Sequence, residues 1–259
     1  MNIVVCIKQV PDVDDIKWTK ENNLDRSAML SKINQYDEWA LNHVLNIKHK
    51  HGCAVYVTVI SMGPMQAKEI LEFALAKGAD RAILLSDKKF SASDTLATSK
   101  IIARAIEKCV DDFSVVVTGQ MAQDGDTAQV PVSLAQLLGI IDVTGVIKVA
   151  NADTKDVIVV QELENSTNLL EVATPCLLAI KASCPYQPRP KISDYIRAQQ
   201  KQIEVYNADD LDLSADDIGI VGSPTTVYRA FRPNIDKKTI EVKENIVDEI
   251  MKSMLEVNS

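Results

Sequence analysis

The chain has 259 residues, of which 46% are hydrophobic and 25% charged, a composition typical of a folded globular protein and not of a disordered one. Its formal net charge of −8 argues against a nucleic-acid partner, because a phosphate backbone would be repelled. No apolar run approaches the length of a membrane span, and residues 1–6 lack the basic segment of a signal peptide. We therefore expect a cytoplasmic protein without a membrane span.

Cysteine and histidine positions indicate neither a disulfide framework nor a metal centre. No two cysteines form a CxxC pair and most lie in apolar runs, which predicts reduced, buried thiols. His49, His51 and Cys53 are close in sequence but fall between a predicted helix and a predicted strand beside Gly52, so we predict no metal site. The five cysteines are Cys6, Cys53, Cys109, Cys176 and Cys184.

Four short, β-branched apolar runs in the first half of the chain predict buried strands. They cover residues 2–7, 54–60, 81–85 and 114–118. Helical periodicity follows each run, with Asn34 and Asp94 in N-cap positions and Gly78 and Gly139 at helix ends. Strands that alternate with helices indicate an α/β fold whose centre is a mostly parallel, Rossmann-like doubly wound sheet.

The loop at residues 119–131 carries the clearest functional signal. It connects the strand at 114–118 to the following helix and is made largely of small and amide residues, including Gly119 and Gly125. Glycine lets the backbone approach a ligand closely, and the free N–H groups at a helix start favour an anion. The loop matches neither GxGxxG nor the GK[ST] of a P-loop, so an ordinary strand–helix connection is the alternative.

Three other segments lie just past predicted strand ends, at Val10, at Met62-Gly63-Pro64 and at Asp94-Thr95. The carboxyl ends of parallel strands meet at one edge of a sheet, and ligands of such sheets bind there. These segments and the 119–131 loop therefore predict a nucleotide site together. No His lies near these loops and neither HExxH nor GxSxG occurs, so we predict no catalytic acid–base residues.

The second half of the chain has a different pattern. Alternating runs at residues 143–149, 156–163, 169–173 and 176–182 predict antiparallel strands that extend the same sheet. A proline-rich loop at 184–190 precedes a helix near 192–200. Exposed loops on rigid flanks often contact partners, so this loop is a candidate partner contact; a solvated connection is the alternative. We divide the chain into a nucleotide-binding α/β domain at 1–206 and a C-terminal arm with a helix at 207–259.

Several motifs in order resemble the β subunit of electron-transfer flavoproteins, over residues 1–235. The motifs are Val4-Val5-Cys6-Ile7-Lys8-Gln9-Val10-Pro11-Asp12, Ile33-Asn34-Gln35-Tyr36-Asp37-Glu38-Trp39-Ala40-Leu41, Val59-Ile60-Ser61-Met62-Gly63-Pro64, Gly78-Ala79-Asp80, Ser93-Asp94-Thr95-Leu96-Ala97-Thr98-Ser99 and Gln123-Asp124-Gly125-Asp126-Thr127-Ala128-Gln129-Val130. Together they are far more specific than any single motif.

The resemblance implies a heterodimer with an α subunit that carries its own FAD. The arm and amphipathic helix at 207–259 would pack on that α subunit; packing on the α/β domain of this chain is the alternative. Simple members hold AMP in the β subunit, whereas electron-bifurcating members hold a second FAD that exchanges hydride with NAD(H) and shares electrons with ferredoxin. The motif Gly222-Ser223-Pro224-Thr225 and the 125–130 loop look closer to the bifurcating group. The cofactor implied is FAD, and structural AMP is the alternative cofactor. A nucleotide-sensing regulatory domain is an alternative function.

By position, the resemblance implies a set of cofactor-binding residues. Residues 62–64, 94 and 95 would bind the diphosphate, and residues 119–129 the adenosine end. The full set is Cys6, Asn34, Tyr36, Asp37, Met62, Gly63, Pro64, Asp94, Thr95, Thr98, Gly119, Gln120, Gln123, Asp124, Gly125, Asp126, Thr127, Ala128, Gln129 and Val130.

The chain departs from the family pattern at three places. Gln161 stands where Lys or Arg is expected, and Gln35 replaces the proline of the usual Asn-Pro-aromatic. The loop by which related subunits grip their dehydrogenases keeps Arg189 and Ile192 as partner contacts but differs around them. The partner implied is an acyl-CoA dehydrogenase or a lactate-type 2-hydroxyacid dehydrogenase.

Overall fold

The computed structural model describes residues 1–12 and 31–227, together with Val247 and Met251. The strands are β1 (Asn2–Cys6), β2 (Gln9–Pro11), β3 (Ser31–Ile33), β4 (Tyr56–Met62), β5 (Arg81–Leu85), β6 (Phe113–Gly119), β7 (Ile141–Ala152), β8 (Asp156–Glu162), β9 (Thr167–Ala173), β10 (Cys176–Ile180) and β11 (Ile203–Tyr206). The α-helices are α1 (Gln35–His51), α2 (Lys68–Lys77), α3 (Thr95–Cys109), α4 (Val130–Leu138) and α5 (Ile192–Gln199).

Nine strands form one sheet in the order β11-β5-β4-β1-β6-β10-β7-β8-β9. Pairing is parallel from β11 through to β7, and in this sheet only the β7–β8 and β8–β9 pairs are antiparallel. The remaining strands, β2 and β3, form a separate antiparallel ribbon next to the end of β1. The prediction of a mostly parallel sheet with an antiparallel extension is confirmed.

The prediction that residues 176–182 form an antiparallel strand is wrong. Strand β10 inserts between β6 and β7 and runs parallel to both. All five of its residues are buried, so its unbroken apolar sequence is that of a strand covered on both faces. Strand β11, which pairs with β5 at the opposite edge, was not predicted.

Helices cover both faces of the sheet, as the doubly wound fold requires. Alternate residues of the central strands serve the two layers: Val5 packs with the core on the α1 and α2 side, and Val4 with the core on the α3 and α4 side. The predicted helix ends at Gly78 and Gly139 are confirmed, and Gly139 adopts the left-handed conformation common at such ends.

The chain after β11 packs first on its own domain. Ala208, Leu211 and Ile218 are buried in the core on the α3 and α4 side. The amphipathic helix predicted within the arm at 207–259 falls after residue 227, outside the described residues except for Val247 and Met251. These two are helical and expose 73% and 55% of their surface. In the described part of the chain, no helix combines the length and hydrophobicity that a bilayer crossing needs.

Candidate functional site

A cavity of about 320 Å³ lies at the carboxyl edge of the parallel sheet. Strands β1, β4 and β6 end at it, and helices α3 and α4 begin at it. Ile60 and Ile102, which expose 1% and 7%, belong to the apolar part of its buried lining, and Thr118 and Asp37 are the buried polar residues there. Thr95 and Gln129, at the two helix starts, are more exposed. The site therefore has an apolar floor and a polar rim.

The N-termini of α3 and α4 are joined at this rim. The Thr95 hydroxyl donates a 2.8 Å hydrogen bond to Oε1 of Gln129. No side chain caps the first turn of α4, and Pro131 in that turn lacks an N–H group. Two helix starts that point at one cavity put two positive dipole ends together, and the start of α4 adds N–H groups without a side-chain cap from Gln129, which suits a phosphate.

The carboxylate of Asp94 is already occupied by protein donors. Oδ1 accepts from Leu96 N and Ala97 N at 3.0 Å each, which confirms Asp94 as the N-cap of α3. Oδ2 accepts from the backbone N and the hydroxyl of Thr225, at 3.0 and 2.8 Å. Burial raises the pKa of this carboxyl, but hydrogen bonds from Ala97 and Thr225 outweigh it and hold the pKa below its usual range. Asp94 therefore positions α3; its phosphate contact stays a prediction.

The loop between β6 and α4 is tethered by Asn34. This side chain is fully buried, donates to Met121 O at 2.9 Å and accepts from Gln123 N at 3.1 Å. Asn34 holds the N-cap position of α1, as predicted, but makes no side-chain cap bond because the loop takes both of its polar atoms. An ion pair of 2.7 Å between Lys8 and Asp124 adds a second, more exposed tether.

Asp37 fixes the strand ends behind the cavity. Its carboxylate accepts from Lys8 N at 2.8 Å and from Gly119 N at 3.0 Å, so it joins the ends of β1 and β6. Burial raises its pKa to about 7, against the hydrogen bonds from Lys8, Asn34 and Gly119. Gly119 has no room for a side chain, since a Cβ would lie 2.4 Å from Asp37 Oδ1.

Thr118 places a polar atom at the cavity floor that has no hydrogen-bond partner in the described part of the chain. Oγ1 of Thr118 is buried and has no hydrogen-bond partner among the described residues, and Thr118 lines the cavity. An unpaired buried hydroxyl costs free energy, and a polar atom of a bound ligand would satisfy it. The floor, the orphaned hydroxyl and the two helix starts together fit a nucleotide.

A family model described as "Electron transfer flavoprotein domain" matches residues 23–211. The chain belongs to the electron transfer flavoprotein family. It is 39% identical over 267 residues to protein FixA of Sinorhizobium fredii, covering 99% of this chain and 90% of that protein. It is 39% identical over 261 residues to electron transfer flavoprotein subunit beta of Thermoanaerobacterium thermosaccharolyticum, covering 100% and 98%. It is 38% identical over 234 residues to caffeyl-CoA reductase-Etf complex subunit CarD of Acetobacterium woodii, covering 90% and 88%.

The family resemblance inferred from the motifs is thus confirmed, and with it the assignment to electron transport. The cavity brings together most of the residues that the resemblance implied for the cofactor. Those that line it are Cys6, Asp37, Met62, Asp94, Thr95, Thr98, Gly119, Gly125, Thr127, Ala128, Gln129 and Val130. Those that do not are Asn34, Tyr36, Gly63, Pro64, Gln120, Gln123, Asp124 and Asp126.

Some lining residues were missed by the sequence reasoning, which searched the loops after the strands. The missed residues are Ile7, Lys8, Ile60, Ser93, Ile102 and Thr118. Strand alternation is the signal that finds two of them. Thr118 follows Val116 by two positions and so shares its face, and Ile60 lies on the same side of the sheet.

The predicted partner contacts lie at the surface, away from the cavity lining. Arg189 is exposed in the proline-rich loop, and Ile192 at the start of α5 exposes 81% of its surface. Tyr195 and Ile196 are exposed beside it at helical spacing. This side of α5 is therefore an apolar stripe next to a cationic side chain.

Proposed function

We propose that this chain is the β subunit of an electron transfer flavoprotein that binds FAD at the cavity, exchanges hydride with NAD(H) and bifurcates or confurcates electrons between ferredoxin and the FAD of an α subunit. The observation that carries the proposal is the meeting of two helix N-termini, linked by Thr95 and Gln129, over an apolar floor with an unpaired hydroxyl. The relative named as a β subunit supports it. The nucleotide-sensing alternative has no support from the family match.

The residues of this chain bind and orient the cofactor. The starts of α3 and α4 would hold the phosphates, and the floor around Ile60 and Ile102 would hold the adenine. Asn34 and Asp37 hold the loop and the strand ends in place. When bound, the flavin supplies the hydride and single-electron chemistry, and the protein sets its position and surroundings.

Structural AMP in place of FAD is the second candidate, and the size of the cavity favours it. Its volume of about 320 Å³ lies near the lower end of the range for small-molecule sites, about 300–1,000 Å³. The described residues therefore enclose an adenosine monophosphate more completely than a dinucleotide. In this form the chain would have no flavin of its own.

The apolar stripe on α5 supports a docking role. Ile192, Tyr195 and Ile196 are large and exposed, and Arg189 lies in the adjoining loop. Exposed aromatic and aliphatic side chains beside an arginine are typical centres of protein interfaces. One relative is named as a subunit of a caffeyl-CoA reductase-Etf complex, which supports a partner dehydrogenase here. An acyl-CoA dehydrogenase and a lactate-type 2-hydroxyacid dehydrogenase are the two proposed partners.

The test is NADH-dependent reduction of ferredoxin by the chain co-purified with its α subunit, in the presence of the partner dehydrogenase and its acceptor. We expect ferredoxin reduction that requires the acceptor. Thr95→Val, which removes the link to Gln129, should lower the rate. Thr174→Val, which removes a hydroxyl contact from the β9–β10 turn to Thr154 O in the β7–β8 turn, should not. Absence of ferredoxin reduction in the wild type would overturn the bifurcating proposal.

A further inference from the structure

Thr118 occupies an unusual place in the cavity. It is the residue before the end of β6, it exposes 4% of its surface, and it lies on the strand face that packs toward α3 and α4. Its Oγ1 has no hydrogen-bond partner in the described part of the chain. Because most buried hydroxyls are hydrogen-bonded, an exception that lines a cavity needs an explanation.

The surroundings of Thr118 indicate which part of a nucleotide it meets. Two of its buried neighbours in the lining, Ile60 and Ile102, carry no polar side-chain atoms, and the buried carboxyl of Asp37 already accepts from the backbone N–H groups of Lys8 and Gly119. Burial raises the pKa of the nearby lining thiol of Cys6 to about 12, so this group stays neutral. The phosphate-binding features, the two helix starts, lie at the exposed rim. An apolar floor with one hydroxyl suits a heteroaromatic base and its sugar and is unsuited to a charged phosphate.

We propose that the Thr118 hydroxyl hydrogen-bonds to the nucleoside part of the bound nucleotide and is a specificity-determining residue of the site. The inference rests on the proposed function only in requiring an adenine nucleotide at this cavity. It holds equally for AMP and for FAD, because both contain adenosine 5′-phosphate.

Ser61 provides a matched control. Its Oγ is also buried and without a hydrogen-bond partner among the described residues, and it exposes 1%. It lies near the end of β4, which β1 separates from β6 in the sheet. By strand alternation it shares the face of Val59, toward α1 and α2, and it does not line the cavity. Thr118 and Ser61 therefore differ in access to the ligand and are alike in burial.

The experiment measures binding of AMP, adenosine and ribose 5-phosphate to the full-length, nucleotide-free chain by calorimetry. Thr118→Val, which keeps the side-chain shape, should weaken AMP and adenosine about tenfold, the usual effect of one lost hydrogen bond in a buried site. Binding of ribose 5-phosphate should weaken less than twofold if the contact is to the base, and as much as AMP if it is to the sugar; either pattern supports the proposal. Thr118→Ser should bind AMP within about threefold of wild type.

Thermal unfolding provides the readout that separates a ligand contact from a structural role. Without nucleotide, Thr118→Val should raise the Tm by about 2 °C, because an unpaired buried hydroxyl is removed.

Ser61→Ala should leave all three affinities within about twofold of wild type. Equal AMP binding by wild type and Thr118→Val would overturn the Thr118 assignment alone. A wild-type chain that binds none of the three probes would overturn both the assignment and the proposed function.

Discussion

Asp37 and Gly119 meet at the point where the central strand β6 ends: the Gly119 N–H donates to Asp37 Oδ1 at 3.0 Å in a buried hydrogen bond. The other carboxylate oxygen accepts from the backbone N of Lys8 at 2.8 Å. One side chain at the start of α1 thus holds together two strand ends that line the cavity. The shape of the cavity depends on this buried carboxylate.

Gly119→Ala should destabilise the protein by about 2 kcal/mol or more, the usual range for overpacking a core. The new Cβ would lie 2.4 Å from Asp37 Oδ1 and 2.7 Å from the backbone carbonyl carbon of Tyr36. Relieving the second clash requires the backbone to move, which costs free energy. Gly125→Ala is the control, since a Cβ there meets nothing within 4 Å. Urea unfolding of the control should stay within about 0.5 kcal/mol of wild type. Equal effects of the two substitutions would contradict the close approach at Gly119.

Asp37 should make stability fall as the pH rises. In the unfolded chain its carboxyl titrates near 3.8, whereas burial raises the folded pKa to about 7. Between these values the unfolded chain has released a proton that the folded chain still holds, so rising pH favours unfolding. The stabilising contribution is complete below about pH 3.8 and is lost by about pH 7.

Urea unfolding of wild type and Asp37→Asn across this pH range tests the prediction. The difference in unfolding free energy, wild type minus variant, should fall with pH at up to about 1.4 kcal/mol per pH unit, and should be constant above about pH 8. Other carboxylates titrate in both proteins and cancel in the difference. A difference that does not change with pH would show that Asp37 titrates normally.

Asn34→Ala should loosen the loop between β6 and α4. The substitution leaves Met121 O and Gln123 N without their side-chain partner, at a cost of about 1–3 kcal/mol, and AMP should bind more weakly because the loop must be ordered on binding. Asp124→Asn is the control: its ion pair with Lys8 joins side chains that expose 36% and 46%, so its loss should cost less than about 1 kcal/mol. Urea unfolding measures the loss of stability, and calorimetric titration measures the loss of AMP affinity. If Asn34→Ala lost no more stability and no more AMP affinity than Asp124→Asn, the tether would be refuted.

The role of Asn34 shows where local sequence rules stop. Its position before α1 correctly predicted the N-cap, but its side chain bonds to Met121, which is 87 residues away in sequence. Helix propensity and capping patterns describe neighbours along the chain, and they cannot reveal a distant loop that competes for the same polar atoms. The opposite case is Asp94, whose cap bonds are local and were predicted correctly.

The orientation of β10 and the place of Thr118 in the cavity were not predicted, for a different reason. Alternation and the preceding turns suggested a fourth antiparallel strand, yet the unbroken apolar run of β10 already matched the pattern of a strand covered on both faces. Thr118 lies inside a strand, whereas the functional residues were sought in loops. The strand ends and helix starts that surround the cavity were predictable because parallel topology brings them to one edge.

The most direct test of the FAD proposal is the cofactor content of this chain co-purified with its α subunit. The complex would be denatured and the released FAD and AMP quantified per heterodimer. Two FAD with little AMP is the predicted result, since one flavin would come from each subunit. One FAD with one AMP would contradict it and would leave this chain a β subunit with structural AMP.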